Sequence, residues 1–182
     1  MKLLLKIAYI ALTVAFVIYV ALPSPDFPNP PDDALQSQEP ADTETPLRKA
    51  YFTDYTREEV VAHYKREFSG FPVLNLNYPP EEGQSIIRDQ TRSSYLEELV
   101  HPFRESIYIN GFVPKVRKDA IVIGDNEYHQ KLTVRYVPGS STVRMVYALL
   151  TSVTLYFVII FAGTLLVDYF TWLKKKGTNN GN

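Results

Sequence analysis

The chain has 182 residues, with 19 Lys and Arg against 20 Asp and Glu, a net charge of −1 and no cysteine. A neutral balance supplies no basic surface for nucleic acid. Without cysteine there is no disulfide framework, thiolate metal site, cysteine nucleophile or lipidated cysteine, and no Asn-x-Ser/Thr sequon invites N-glycosylation.

Residues 3–22 form an apolar run interrupted by one charge, Lys6. At about 1.5 Å per residue, a helix of this length crosses a hydrocarbon core of ~30 Å. Lys6 lies close enough to the end to snorkel back to the headgroups. Pro23 and Pro25 stop the helix. A secretory signal would use Lys2 and Lys6 as its basic start. Cutting after Ala21, however, sets Tyr19 at the third position before the cut, where a small residue is wanted. Residues 1–22 therefore read as an uncleaved transmembrane anchor.

Residues 23–46 hold seven of the 13 prolines, the acids Asp26, Asp32, Asp33, Glu39, Asp42 and Glu44, and no Lys or Arg. Such a stretch buries too little apolar surface to offset its ordering. It reads as an acidic, partly polyproline-like linker, an inert tether in preference to a docked peptide.

Residues 47–142 read as one folded domain carrying 13 basic and 13 acidic residues. A strand is predicted over residues 48–55. Thr56-Arg57-Glu58-Glu59 has the form of a capping box, and Val60, Val61, Tyr64 and Phe68 share one face of the helix that follows. Residues 73–78 alternate as a half-buried strand, internal in preference to an exposed edge that pairs with another chain. Pro80, Glu81 and Glu82 open a second helix expected to run through Ile86 and Ile87 toward Arg92. Residues 95–100 suggest a further helical turn. Residues 106–113 and 120–123 are strand-like, Gly124-Asp125-Asn126 is a hairpin turn, and residues 131–137 alternate with Leu132, Val134 and Tyr136 on one face. The fold class is α+β, a small and mainly antiparallel sheet with two helices, flanked by N- and C-terminal transmembrane helices.

Residues 145–167 carry no charge, and a second transmembrane helix is predicted over residues 143–170. Tyr147 and Trp172 are its interfacial anchors. Lys174, Lys175 and Lys176 form a basic stop, within a tail over residues 171–182 that turns Gly/Asn-rich. With Lys2 and Lys6 at the other end, the positive-inside rule puts both termini in the cytoplasm. The expectation is a two-pass protein of the cytoplasmic membrane, in contact with the lipid bilayer, with its middle domain outside. Ala11 and Ala15, and likewise Ala148 and Ser152, have the small-xxx-small spacing that lets helices approach.

The densest polar cluster is Arg88, Asp89 and Arg92, followed by His101, Arg104 and Glu105. Arg88 and Arg92 sit one helical turn apart and could hold a carboxylate or phosphate. His101 and Glu105 could serve acid–base chemistry if they met in a cleft. The competing reading is that these charges pair among themselves. His63, His101 and His129 lack the short spacing of a zinc site. No serine-nucleophile elbow or phosphate-cradling glycine loop is present, and no cofactor is implied.

Several strings carry a resemblance. Tyr78-Pro79-Pro80-Glu81-Glu82, Ile87-Arg88-Asp89-Gln90-Thr91-Arg92, His101-Pro102-Phe103-Arg104-Glu105-Ser106 and Arg135-Tyr136-Val137-Pro138 resemble one group of small two-helix membrane proteins from uncultured, small-genome bacteria of candidate phyla. The resemblance covers most of the domain and the second apolar run. It implies a bacterial envelope location and no activity. Together these readings favour a non-enzymatic envelope protein, a subunit or adaptor with a protein partner or a second copy of itself. The alternatives are an anion-binding or sensing domain that signals through a partner, and last an envelope hydrolase.

Overall fold

A computed structural model describes residues 2–72, 74–87 and 93–179. In chain order the elements are α1 (Lys2–Ala21), β1 (Leu35–Gln36), β2 (Arg48–Thr53), α2 (Arg57–Glu67), β3 (Leu74–Tyr78), α3 (Gly83–Ile87), β4 (Tyr95–His101), β5 (Glu105–Phe112), β6 (Ile121–Ile123), β7 (Asn126–Tyr128), β8 (Gln130–Val137) and α4 (Ser141–Asn179). The chain divides into two compact units: Met1–Leu22 with Ser141–Asn182, and Pro23–Ser140.

In the first unit, Leu3–Ala21 and Ser141–Lys176 are each long and apolar enough to cross a membrane. The two helices pack antiparallel. The Tyr9 hydroxyl donates to the Ser152 carbonyl, and the Tyr9 and Tyr156 rings lie 5.6 Å apart. At the other end of the pair Arg144 donates to the Leu22 carbonyl at 3.4 Å. Small residues serve this contact on α4, where Ala148 is buried, but not on α1, where Ala11 and Ala15 are exposed. Helix α4 also runs past the expected end at residue 170, as far as Asn179, with no proline along it.

In the second unit six strands form an antiparallel sheet in the order β1-β2-β8-β5-β4-β3, and β6 and β7 form a separate hairpin. Gly124 turns that hairpin with φ +62°, a conformation glycine adopts without steric cost. On one face of the large sheet lie Tyr51, Tyr95, Leu99, Ile107, Ile109, Leu132, Val134 and Tyr136, alternate residues brought together by the β2–β8, β5–β8 and β4–β5 registers. Helix α2 covers them with Val60 and Tyr64, and Phe68 at its C-terminal cap joins them, all fully buried. Each such side chain contributes about 1.5–3 kcal/mol by leaving water. The helix starts with the expected capping box: Thr56 accepts from the Glu59 amide, and Glu59 accepts from the Thr56 amide at 2.8 Å.

Residues 95–100 form strand β4, not a helical turn. Leu and Glu favour helix in isolation, but β4 is hydrogen-bonded on both sides, to β3 and to β5. Tyr95 and Leu99 then fill one face while Leu96 fills the other, so tertiary pairing overrides local propensity. Strand β3 is the last strand of the sheet and therefore an edge, with Leu76 and Asn77 exposed. The expected second helix is a 3-10 turn, Pro80–Glu82, followed by the short α3. Its continuation toward Arg92 lies outside the described residues.

The expected inert tether is docked on the domain. Strand β1 pairs with β2, and the Ser37 amide donates to the Ala50 carbonyl at 2.9 Å. Phe27 packs edge-on to Tyr136 at 6.4 Å, and the Tyr136 hydroxyl donates to the Pro25 carbonyl at 2.9 Å. Asp33 accepts from the Thr53 hydroxyl at 2.6 Å and from the Asp54 amide at 2.7 Å. Asp33, Glu39 and Asp42, acids that composition assigns to solvent, thus find donors. The prolines also restrict the unfolded segment, so ordering it costs less than its length suggests.

Candidate functional site

His101 ends β4 and Glu105 begins β5, and the two residues are cross-strand partners. His101 Nδ1 lies 2.9 Å from Glu105 Oε1. Arg104, in the turn between them, reaches the same oxygen at 3.1 Å. The Ser24 hydroxyl donates to Glu105 Oε2 at 2.9 Å, and Arg104 Nη2 donates to the Pro23 carbonyl at 2.7 Å. Three of the six expected site residues therefore converge, and they do so around the first residues of the segment that enters the domain. Arg88, Asp89 and Arg92 lie outside the described residues.

The cluster is packed, not open. His101 is 3% exposed and Glu105 4%. The imidazole stacks on Phe68 with centroids 4.4 Å apart. Its Nε2 has no hydrogen-bond partner among the described residues and faces Gly70, where an added Cβ would come within 3.1 Å of it. Burial lowers the His101 pKa below the ordinary histidine value, against the raising pull of Glu105. A neutral ring then donates from Nδ1 to the carboxylate, and its Nε2 lone pair points at backbone. What the arrangement does is hold Pro23 and Ser24 against the β4–β5 turn.

A second polar cluster occupies the sheet face opposite α2. Lys131 Nζ lies 2.8 Å from Asp42 and 2.9 Å from Glu39, and the Ser37 hydroxyl donates to Asp42 at 2.7 Å. Burial works to lower the Lys131 pKa, but the hydrogen bonds the ammonium donates to Asp42 and Glu39 outweigh it, and it ends above its ordinary value. Composition alone could not reveal this cluster, because its acids come from the segment and its cations from the strands. A periodicity signal does exist: Lys131, Thr133 and Arg135 alternate with the core residues of β8, which marks a second, polar face.

At the open end of the sheet, Tyr78 of β3 donates to Glu98 of β4 at 2.8 Å, a bond that pushes the Tyr78 pKa up to about 12. Arg57 of α2 pairs with the buried Glu97. His63 Nε2 lies 2.9 Å from the Asn29 carbonyl, and the His129 amide donates to Asp54 at 2.9 Å. The three histidines are thus held separately, and among the described residues no group of three His, Asp or Glu side chains could hold a metal ion. Comparison with protein-family models, with curated proteins and with solved structures finds no significant match.

Proposed function

We propose that this chain is a two-pass envelope membrane protein that displays a small interaction domain as a subunit or adaptor of a larger assembly. The observation that carries the reading is a single folded domain bracketed by two helices long enough to cross a bilayer and ending in an open strand edge at β3. The edge carries Leu-Asn-Leu-Asn-Tyr. It has no lysine, proline or bulge of the kind that blunts exposed edges, so it suits the addition of a strand from a partner. Lysines at both ends of the chain favour cytoplasmic termini and an outside domain, in keeping with the bacterial envelope location that the resemblance implies.

The test uses single cysteines, which the native chain lacks. Asn77→Cys lies on the β3 edge and Asp125→Cys on the separate hairpin turn. In intact cells both are expected to react with a membrane-impermeant reagent, and crosslinking from position 77 is expected to capture a discrete partner or a second copy that position 125 does not. Labelling confined to lysed cells would overturn the orientation. Equal yields from both positions would overturn the β3 interface.

A further inference from the structure

We propose that the cleft beside the Arg48–Arg135 pair binds a phosphate group. This goes beyond the adaptor reading and does not depend on it. Arg48 of β2 and Arg135 of β8 are direct cross-strand partners, so both project from the sheet face opposite α2. Like charges directly opposite each other in a sheet are destabilising. Among the described residues Arg135 has no ion-pair partner and Arg48 has a long one. Arg48 is 6% exposed, yet its Nε has no hydrogen-bond partner among the described residues. Its contact with Asp42 is 3.5 Å, the long limit of a hydrogen bond. Asp42 is meanwhile engaged by Lys131 at 2.8 Å and by Ser37 at 2.7 Å. Arg135 donates to a neutral acceptor, the Ile86 carbonyl.

The two side chains line a cleft of about 420 Å³, together with Thr45, Ile87 and the exposed carboxylate Glu44. A phosphate between the guanidiniums would supply acceptors for Arg48 Nε and for both forks, and would replace the cross-strand repulsion with two charge-assisted contacts. The cleft has room for part of the group to which that phosphate is esterified. Free phosphate and a phospholipid headgroup share this chemistry. Arg104 is not part of the site, being engaged with Glu105 and Pro23.

The full chain, purified in a detergent without phosphate, is unfolded thermally with inorganic phosphate, with a short-chain phosphatidic acid, and with chloride at matched ionic strength. The midpoint is expected to rise with ligand concentration as binding to the native state requires. A rise with inorganic phosphate assigns a free ligand, and a rise with the lipid alone assigns a headgroup. Arg135→Gln is expected to weaken binding at least tenfold with its circular dichroism unchanged, and Glu44→Gln to tighten it. No rise with either ligand overturns the proposal, as does a folded Arg135→Gln protein that keeps the full response. Should Arg135→Gln fail to fold, Glu44→Gln decides, since unchanged affinity in that variant overturns the site.

Discussion

The Lys131 ammonium and the Asp42 carboxylate meet at 2.8 Å on the sheet face opposite α2, with side chains 9% and 2% exposed. One comes from a central strand and the other from the proline-rich segment. The pair therefore joins the segment to the sheet.

Removing one partner of a buried pair leaves an uncompensated charge, which costs about 3–5 kcal/mol. Asp42→Ala leaves Lys131 only the exposed Glu39 as an ion-pair partner and takes the contact from Arg48. The domain should lose stability on that scale, and the segment should become the first site of proteolytic cleavage. Urea unfolding followed by near-ultraviolet circular dichroism, with limited proteolysis under native conditions, measures both. An unchanged midpoint would show that the segment docks without this pair.

His101 ties stability to pH with a definite sign. Burial lowers its folded pKa, so below about 6.5 the unfolded chain binds the proton before the folded one does. Stability should be full above that pH and fall as the pH drops through it toward the folded pKa. The slope from this one group is at most about 1.4 kcal/mol per pH unit. Urea midpoints compared at pH about 7.5 and about 5.5 should differ more in the native protein than in His101→Gln. Equal differences would assign the slope to other groups.

Gly111 is opposite Tyr95, and the Tyr95 ring lies over it so closely that an added Cβ would fall inside the ring's van der Waals envelope. Tyr95 is also held by its bond to Gln130 at 2.7 Å, so the ring cannot swing aside freely. Gly111→Ala should destabilise by about 1–3 kcal/mol through overpacking. Tyr95→Leu in the same chain should recover part of that loss, and the urea midpoints of the single and double variants read the coupling directly.

Thr56→Ala removes the cap of α2 and should cost about 1 kcal/mol. Thr56→Asn should cost much less, because an asparagine oxygen can accept from the same amide. A loss shared equally by the two variants would point to packing in place of capping.

Much of this protein is legible from residue order, because the signals concerned are local. Apolar runs long enough to span a bilayer give α1 and α4. The Thr56–Glu59 box gives the start of α2, and alternation in β8 gives its buried face. The α+β class follows from these. What local signals could not provide is the partner of each polar group. The helical preference of residues 95–100 yields to pairing with strands on both sides. The acidic segment reads as a tether until Lys131, Arg48, Thr53 and Asp54 are brought beneath it. His101 and Glu105 are four positions apart in sequence, but their closure from solvent depends on Phe68, Gly70 and Ser24. Composition and periodicity report the free energy of transferring each residue from water and its preferred local backbone. The pairing of distant charges depends on which surfaces the sheet order brings together, and that is set by cooperative packing of the whole domain.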